Sequence, residues 1–200
     1  MSDVSPTRSA VIEMKDERRA MHEGYVFLDE KCMLLAGEIL RELQRYGRLQ
    51  RDFLALHDAA IVSLQAAVAR HGLQGLQIYP PADLAGAQLR LHTHTLMGVR
   101  LQDAELEPGT AAAEQAVNPS PEVEACRRAF AAVLAAAAET AALSGNLERL
   151  SFEYRRSVRR ARALQDVMLP ELDHSIYDIE GRLEELEQED AIWMRHGAGV

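Results

Sequence analysis

Tyr25-Val-Phe-Leu-Asp-Glu-Lys-Cys-Met-Leu-Leu-Ala-Gly-Glu-Ile39 decides the fold of this chain. With Tyr25 at heptad position a, Cys32 and Ile39 follow at a, while Leu28 and Leu35 fall at d. The same register continues upstream through Met14 and Met21 at d. It continues downstream through Tyr46 and Phe53 at a and Leu49 and Leu56 at d, with Glu42 the one misfit. A second block near the C-terminus repeats the pattern through Leu147, Leu150, Tyr154, Ala161, Leu164 and Met168. It then runs on through Leu172, Ile176, Ile179, Leu183, Leu186 and Trp193. A repeat of 3.5 residues keeps one apolar seam turned toward a partner helix. Two such helices in one chain are each other's nearest partners, and the segment that joins them makes them antiparallel.

The sequence therefore predicts a mainly α protein. Its core is a long antiparallel two-helix coiled coil made by the N- and C-terminal helices, with a short β-hairpin and linker in the middle. The expected segments are a helix over 6–71, a middle segment over 72–119 and a helix over 120–195. At 1.5 Å per residue these helices would run on the order of 95 and 110 Å, so an elongated molecule is expected. Ser5 with Pro6 at the first helical position reads as the start of the first helix. Gly72 and Gly75 read as its end. Ser120-Pro121-Glu122 restarts helix, with acids in the first turn where the helix dipole favours them. The seam is expected to set Tyr25 and Leu28 beside Ile176 and Ile179, and Phe53 beside Leu150.

Two irregularities stand out along the helices. In the C-terminal block the seam takes two successive steps of four residues from Met168 through Leu172 to Ile176. That is a stutter, which locally unwinds a left-handed coil, and Pro170 within it removes a helical hydrogen bond and should bend the helix. In the N-terminal block the apolar arc broadens beyond a and d through Leu54, Ile61, Val62, Leu64 and Val68. A two-helix seam does not need that width. The hairpin or another subunit is expected to pack there. Gly24, Gly37 and Gly47 lie off the seam, as surface positions or as places where another subunit's backbone comes close.

Between the helices, Leu89-Arg-Leu-His-Thr-His-Thr-Leu96 alternates with period two and reads as a short hairpin or small sheet. Leu89, Leu91, Thr93 and Thr95 share one face, and Arg90, His92 and His94 share the other. Residues 110–121 read as a polar linker.

Composition bounds the chemistry. The 200 residues carry a net charge of −9 and are 48% hydrophobic but only 5% aromatic, which suits Ala- and Leu-rich helices and disfavours nucleic acid as a partner. The longest uncharged apolar run, 129–138, is short of the ~20 residues of a bilayer span, and residues 1–8 lack the apolar core of a signal peptide. A cytoplasmic protein that touches a membrane only through partners is expected. Cys32 and Cys126 suggest no disulfide framework. There is no Gly-Lys step for a phosphate loop, no Gly-x-Ser-x-Gly and no His-Glu-x-x-His. His92 and His94 share a strand face without an evident third ligand, so a plain surface strand is favoured over a metal site. The sequence offers no catalytic centre, no cofactor site and no metal site.

One charged feature departs from the acidic background. Arg155, Arg156, Arg159, Arg160 and Arg162 crowd two turns, whereas Glu184, Glu185, Glu187, Glu189 and Asp190 make the end of the same helix acidic. This is either a solvated face or a basic collar that meets an acidic partner.

Several stretches resemble the D subunit of the V-type and A-type ATPases. They are Tyr154-Arg-Arg-Ser-Val-Arg-Arg-Ala-Arg-Ala-Leu164, Leu169-Pro-Glu-Leu172, Ile176-Tyr-Asp-Ile179 and Arg182-Leu-Glu-Glu-Leu-Glu-Gln-Glu189. Pro6-Thr7-Arg8, Ala20-Met-His-Glu-Gly24 and Leu28-Asp-Glu-Lys31 are similar to that family's opening helix, and Thr95-Leu-Met-Gly98-Val99-Arg-Leu101 to the motif after its hairpin. The resemblance covers essentially the whole chain in order. It implies a non-catalytic central rotor whose coiled-coil tip enters the bore of the catalytic hexamer. Its implied partners are the catalytic and regulatory subunits of the hexamer, the small F subunit of the stalk and the funnel subunit on the membrane ring. The seam residues would then be Met14, Met21, Tyr25, Leu28, Leu35, Ile39, Tyr46, Phe53, Leu150, Tyr154, Met168, Ile176, Ile179, Leu183 and Leu186. Leu54, Ile61, Val62 and Leu64, with Arg155, Arg156, Arg159 and Arg160, would be candidate partner contacts. The gamma axle of F-type synthases fits less well, because 73–119 is too short for its α/β domain. A coiled-coil scaffold or tether with no rotary role is the alternative from another class.

Overall fold

The computed structural model describes residues 6–80, 86–107 and 119–197. Helix α1 spans Arg8–Gln77, strands β1 and β2 span Gln88–Leu96 and Val99–Glu107, and helix α2 spans Pro121–Ala163. A π-helical turn over Leu164–Met168 leads into helix α3, Leu169–Gly197. The chain is thus mainly α, two long helical stretches with a small antiparallel sheet between them.

Local chemistry sets the ends. Thr7, not Ser5, caps α1: its Oγ1 accepts the Ala10 N–H at 3.2 Å, and Pro6 lies before the first turn. Ser5 lies outside the described residues, as does most of the expected linker over 110–121. Gly72 interrupts α1 at φ 67° and ψ 165°, a region that side-chain-bearing residues avoid. Ser120 caps α2: its Oγ accepts the Val123 N–H at 3.4 Å and its carbonyl accepts the Glu124 N–H at 3.2 Å. Pro121 then takes the first helical position, where its missing N–H costs no bond.

The residues divide into two compact units, one made by the chain up to Leu34 with that from Tyr154 onward, the other by Leu35–Glu153. In the first unit, α1 and α3 run antiparallel. Arg8 bonds Glu187 at 2.6 Å and Lys15 bonds Glu180 at 2.6 Å, one heptad further along each helix in opposite directions. Arg18 then meets Asp173, and the α-carbon face of Gly24 looks toward Leu164 Cδ1. This register corrects the one expected from the pattern. Ile176 and Ile179, both buried, lie at the level of Lys15–Arg18, not of Tyr25 and Leu28. A heptad seam looks the same after a slip of one repeat, so apolar spacing alone leaves the register open. The ion pairs between the helices resolve it.

The irregularity read over Met168–Ile176 lies one turn earlier, as a π turn over Leu164–Met168. The Leu169 N–H bonds the Leu164 carbonyl, five residues back, which inserts an extra residue ahead of the proline. Met168 within that turn is 41% exposed, and Leu186 near the end of α3 is 45% exposed. Val11 and Cys32 are buried, and Met14, Met21, Tyr25, Leu28, Tyr154 and Leu183 are half-buried.

In the second unit, Leu35 and Leu150 are fully buried, Ile39, Tyr46 and Phe53 half-buried, and Ala60 and Ala67 close the same a row with almost no exposure. Arg45 reaches Glu139 at 3.2 Å and Arg70 reaches Glu122 at 3.3 Å, so α1 and α2 are antiparallel here too. Phe53, two turns beyond Arg45, therefore lies past Glu139 and away from Leu150, again a slip from the expected register. Both long helical stretches contain an 18-residue window of mean hydropathy 1.3 with at most two charged residues. The same helices carry ion pairs such as Arg45–Glu139 and Arg70–Glu122, which hydrocarbon would penalise.

Candidate partner-binding site

The hairpin is built on a two-residue turn. Met97 has φ 48° and Gly98 φ 82°, the pair of positive values that matches the twist of the flanking strands. The register is unbroken from Leu96 opposite Val99 to Gln88 opposite Glu107. A two-residue turn makes Leu96 and Val99 a hydrogen-bonded pair, so the bonded pairs alternate from there. His94, His92 and Arg90 then bond across to β2. Thr95, Thr93, Leu91 and Leu89 point their N–H and C=O groups away from it, as does Gln102 on β2.

Gln102 is where the sheet meets α2. Its N–H donates to Asn146 Oδ1 and its carbonyl accepts from Asn146 Nδ2, both at 2.8 Å. Asn146 is 2% exposed. Its carboxamide acts as a one-residue strand that closes the β2 edge. Arg149, one turn on, donates from Nη2 to Asn146 Oδ1 at 2.7 Å and to Gln102 Oε1 at 3.4 Å. The sequence pattern does not single out Asn146, which stands among other polar residues of the helix such as Ser144, Glu148 and Arg149.

Val99 and Leu101, on one face of β2, are buried. Cross-strand pairing puts His94, His92 and Arg90 on that same face. A charge cluster ties this face to the helices. Arg45 donates to Asp103 at 3.3 Å and to Glu139 at 3.2 Å, and His94 Nδ1 lies 3.7 Å from Asp103 Oδ2. Burial pulls the Arg45 pKa down, but its bonds to Glu139 and Asp103 outweigh this and leave it raised. Glu42, the seam misfit, faces the same cluster. Burial pushes its carboxyl above the usual range, Arg45 and His94 oppose that, and Glu38 and Asp103 add to it. Glu42 thus joins Arg45 on α1 in the polar layer that meets the hairpin at Asp103. His92 and His94 form no cluster of three metal-ligating side chains among the described residues.

At the far end of this unit, His71 Nε2 and Ser120 Oγ lie 2.7 Å apart, and the Ser120 N–H donates to the Tyr79 hydroxyl at 2.9 Å. The Arg127 guanidinium sits 5.6 Å from the centre of the Tyr79 ring and bonds the Pro80 carbonyl. Beside this knot an apolar cavity of about 230 Å³ is lined by Leu64, Ala67, Leu76, Val123, Cys126 and Phe130 among others. Leu54, Ile61 and Val62 are 51%, 38% and 64% exposed, so the hairpin does not cover them. In the first unit, Arg155, Arg156, Arg159 and Arg160 are all exposed.

The arrangement offers surfaces and braced helices, and the contact of His71 with Ser120 sits at the cap of α2. Residues 10–196 match the family model for the ATP synthase D subunit. The chain is 25% identical to the V-type ATP synthase D subunit of Thermotoga neapolitana over 94% of its length and 93% of that protein's. It is 26% identical to the A-type ATP synthase D subunit of Pyrococcus horikoshii over 94% of its length and 89% of that protein's. It is 24% identical to the A-type ATP synthase D subunit of Methanoregula boonei over 98% and 95%. On this whole-length match, the chain belongs to the ATP synthase D-subunit family.

Proposed function

We propose that this chain is the non-catalytic central-stalk rotor of a V/A-type rotary ATPase. In this role it couples ATP synthesis or hydrolysis in the catalytic hexamer to proton or sodium transport through the membrane ring. It performs no covalent chemistry and holds no cofactor. Its partners are the catalytic and regulatory subunits of the hexamer, the small F subunit of the stalk and the funnel subunit on the ring. It lies in the cytoplasm and is peripheral to the membrane through the complex.

One observation carries the reading within a chain that matches the D-subunit family nearly from end to end: the two terminal helices brace each other. Torque transfer needs helices that do not slide, and interlocked apolar layers resist shear. Arg8–Glu187, Lys15–Glu180 and Arg18–Asp173 add a register lock at the chain ends.

The test is reconstitution of the catalytic hexamer with and without this chain. Expected results are a stoichiometric complex and ATP-driven rotation of a probe attached to the chain. A chain that fails to bind the hexamer would leave the scaffold or tether reading in its place.

A further inference from the structure

We propose that the outer edge of β1 accepts an extended strand from another subunit of the same rotary complex, with apolar and acidic residues alternating. The proposal rests on the chain's place in that complex and names a contact there.

The geometry begins with the turn. Because Leu96 and Val99 form a bonded pair, the N–H and C=O groups of Leu89, Leu91, Thr93 and Thr95 all point outward, away from β2. Asn146 satisfies the matching outward groups of Gln102 on the opposite edge, so α2 closes the β2 edge at that residue. Among the described residues no backbone or side-chain group bonds the β1 edge. Residues 88–95 are all exposed, Leu89 and Leu91 by 54% and 51%.

Sheet edges are usually blunted by charged side chains, Lys above all, by Pro or by a bulge. Gln88–Leu96 carries one such charge, Arg90, which pairs with Glu107; its nine residues otherwise hold no lysine, proline, aspartate or glutamate, in unbroken register. Such an edge is a template for strand addition.

The side chains say what fits. Leu89 and Leu91 face one side beside Leu106 and Ala104, their cross-strand partners, and ask for apolar residues on that side of the incoming strand. Arg90, His92 and His94 face the other. On β2 the groups across from Arg90 and His92 are Glu105 and Asp103, and Arg90 pairs with Glu107 at 2.8 Å. An incoming strand with acids on this face continues the alternation acid, base, acid across the sheet. A second copy of β1 does the opposite. Antiparallel pairing centred on this strand sets Arg90 opposite His94 of the second copy and brings no carboxylate to this face. The edge therefore selects a different polypeptide over a second copy.

The test is amide exchange, resolved to single residues, on the isolated full chain and on the chain within the assembled complex. Exchange at Leu89, Leu91, Thr93 and Thr95 is expected to slow at least about tenfold on assembly, and more than at Arg90, His92 and His94, which already bond to β2. Equal exchange at the four outward amides in both states would overturn the proposal. Protection in the isolated chain that grows with its concentration would overturn it too, in favour of a second copy. A variant gives an independent reading. Thr93→Pro deletes one outward N–H and leaves each β1–β2 bond in place, because proline is tolerated where an edge N–H faces solvent. It should lower retention of the chain in the complex about tenfold with an unchanged melting curve; normal retention would count against strand addition. Absence of wild-type chain from the purified complex would instead overturn the rotary reading, and the named occupant with it.

Discussion

Asn146 bonds both main-chain groups of Gln102, 44 residues away in sequence, through one carboxamide, with N···O distances of 2.8 Å in each direction. No aliphatic or charged side chain can do the same, since only an amide offers a donor and an acceptor side by side. The hairpin is therefore fastened to α2 at a point where its strand edge would otherwise be left open next to a helix. Arg149 fills the remaining lone pair of Asn146 Oδ1.

Removing that fastening should be costly and local. Asn146→Ala leaves the Gln102 N–H and C=O and the Arg149 guanidinium without their partner in a half-buried site. About 1–3 kcal/mol of stability should be lost for buried groups stranded in this way. Asn146→Asp keeps the acceptor toward Gln102 N–H and Arg149 but turns an anion toward the Gln102 carbonyl, so it should recover only part of the loss. Thermal melting gives the size of the effect. Amide exchange should show the Gln102 N–H opening well before those of α1.

Glu42 makes a pH-dependent prediction. Burial raises its pKa in the folded chain above the ordinary 4.5. A carboxyl with a raised folded pKa binds protons more readily folded than unfolded, so its contribution is favourable below the unfolded value. That contribution is lost as pH rises through the folded value. At pH 7 the ionised Glu42 is therefore a liability in its layer. Glu42→Gln should melt higher than the wild type at pH 7, and the gap should close as pH falls toward 4.5. A gap that is the same at both pH values would show that Glu42 carries no such penalty.

Glu42 also shows how far the sequence could be read. As the one charged residue at a d position it stands out, but nothing in the local pattern names Arg45, Asp103 or Glu139 as its neighbours, because two of those lie on other elements. The helices and the hairpin were legible because each rests on short-range periodicity, 3.5 residues for the seam and two for the strands, whereas the stutter read over Met168–Ile176 was placed a turn past the π turn at Leu164–Met168. Helix register was not legible. Moving Ile179 by one heptad leaves the apolar pattern unchanged, and only the pairs Lys15–Glu180 and Arg18–Asp173 distinguish the choices. The face of the hairpin that packs was also hidden. Alternation separated Leu91 from His92, yet the imidazole side carries the buried Val99 and Leu101, and the leucines face outward.

Gly72 tests the end of α1. Its φ of 67° with ψ 165° lies where a β-carbon clashes with the backbone, and no other atom within 4 Å would oppose the new methyl. Gly72→Ala should therefore cost about 1–3 kcal/mol through backbone strain alone. Gly37→Ala provides the contrast. Gly37 is helical, exposed and in open space, so alanine there should stabilise by about 0.5–1 kcal/mol. Parallel denaturant titrations with unchanged slopes would separate the two effects cleanly.

The seam of the first unit should respond as a packed core. Ile179 is 8% exposed and Ile176 7%. A large-to-small change at a site that cannot collapse fully costs about 2–5 kcal/mol, and a two-helix seam should give the lower part of that range. Ile179→Ala should accordingly lower the melting temperature, while Tyr177→Ala, on the exposed face of the same turn, should not.

The arginine collar should do the reverse and act on assembly without touching the fold. Arg155 and Arg159 are exposed on α2, four residues apart and so on one face, in a chain whose net charge is −9. Like charges four residues apart on a helix repel by about 0.2–0.5 kcal/mol, two glutamates at these positions do the same, and surface charge changes shift stability by only about 0.5 kcal/mol. The collar's reach is outward, toward an acidic partner surface that it would steer and orient. Arg155→Glu with Arg159→Glu should leave the melting curve in place and weaken binding to the catalytic hexamer. The defect should grow as ionic strength falls, because repulsion between the new carboxylates and an acidic bore is then least screened. Binding should be compared at about 20 and 300 mM salt, spanning a Debye length longer and shorter than the ~8 Å of physiological salt. If the double variant binds and couples like the wild type at the lower concentration, the collar is a solvated face.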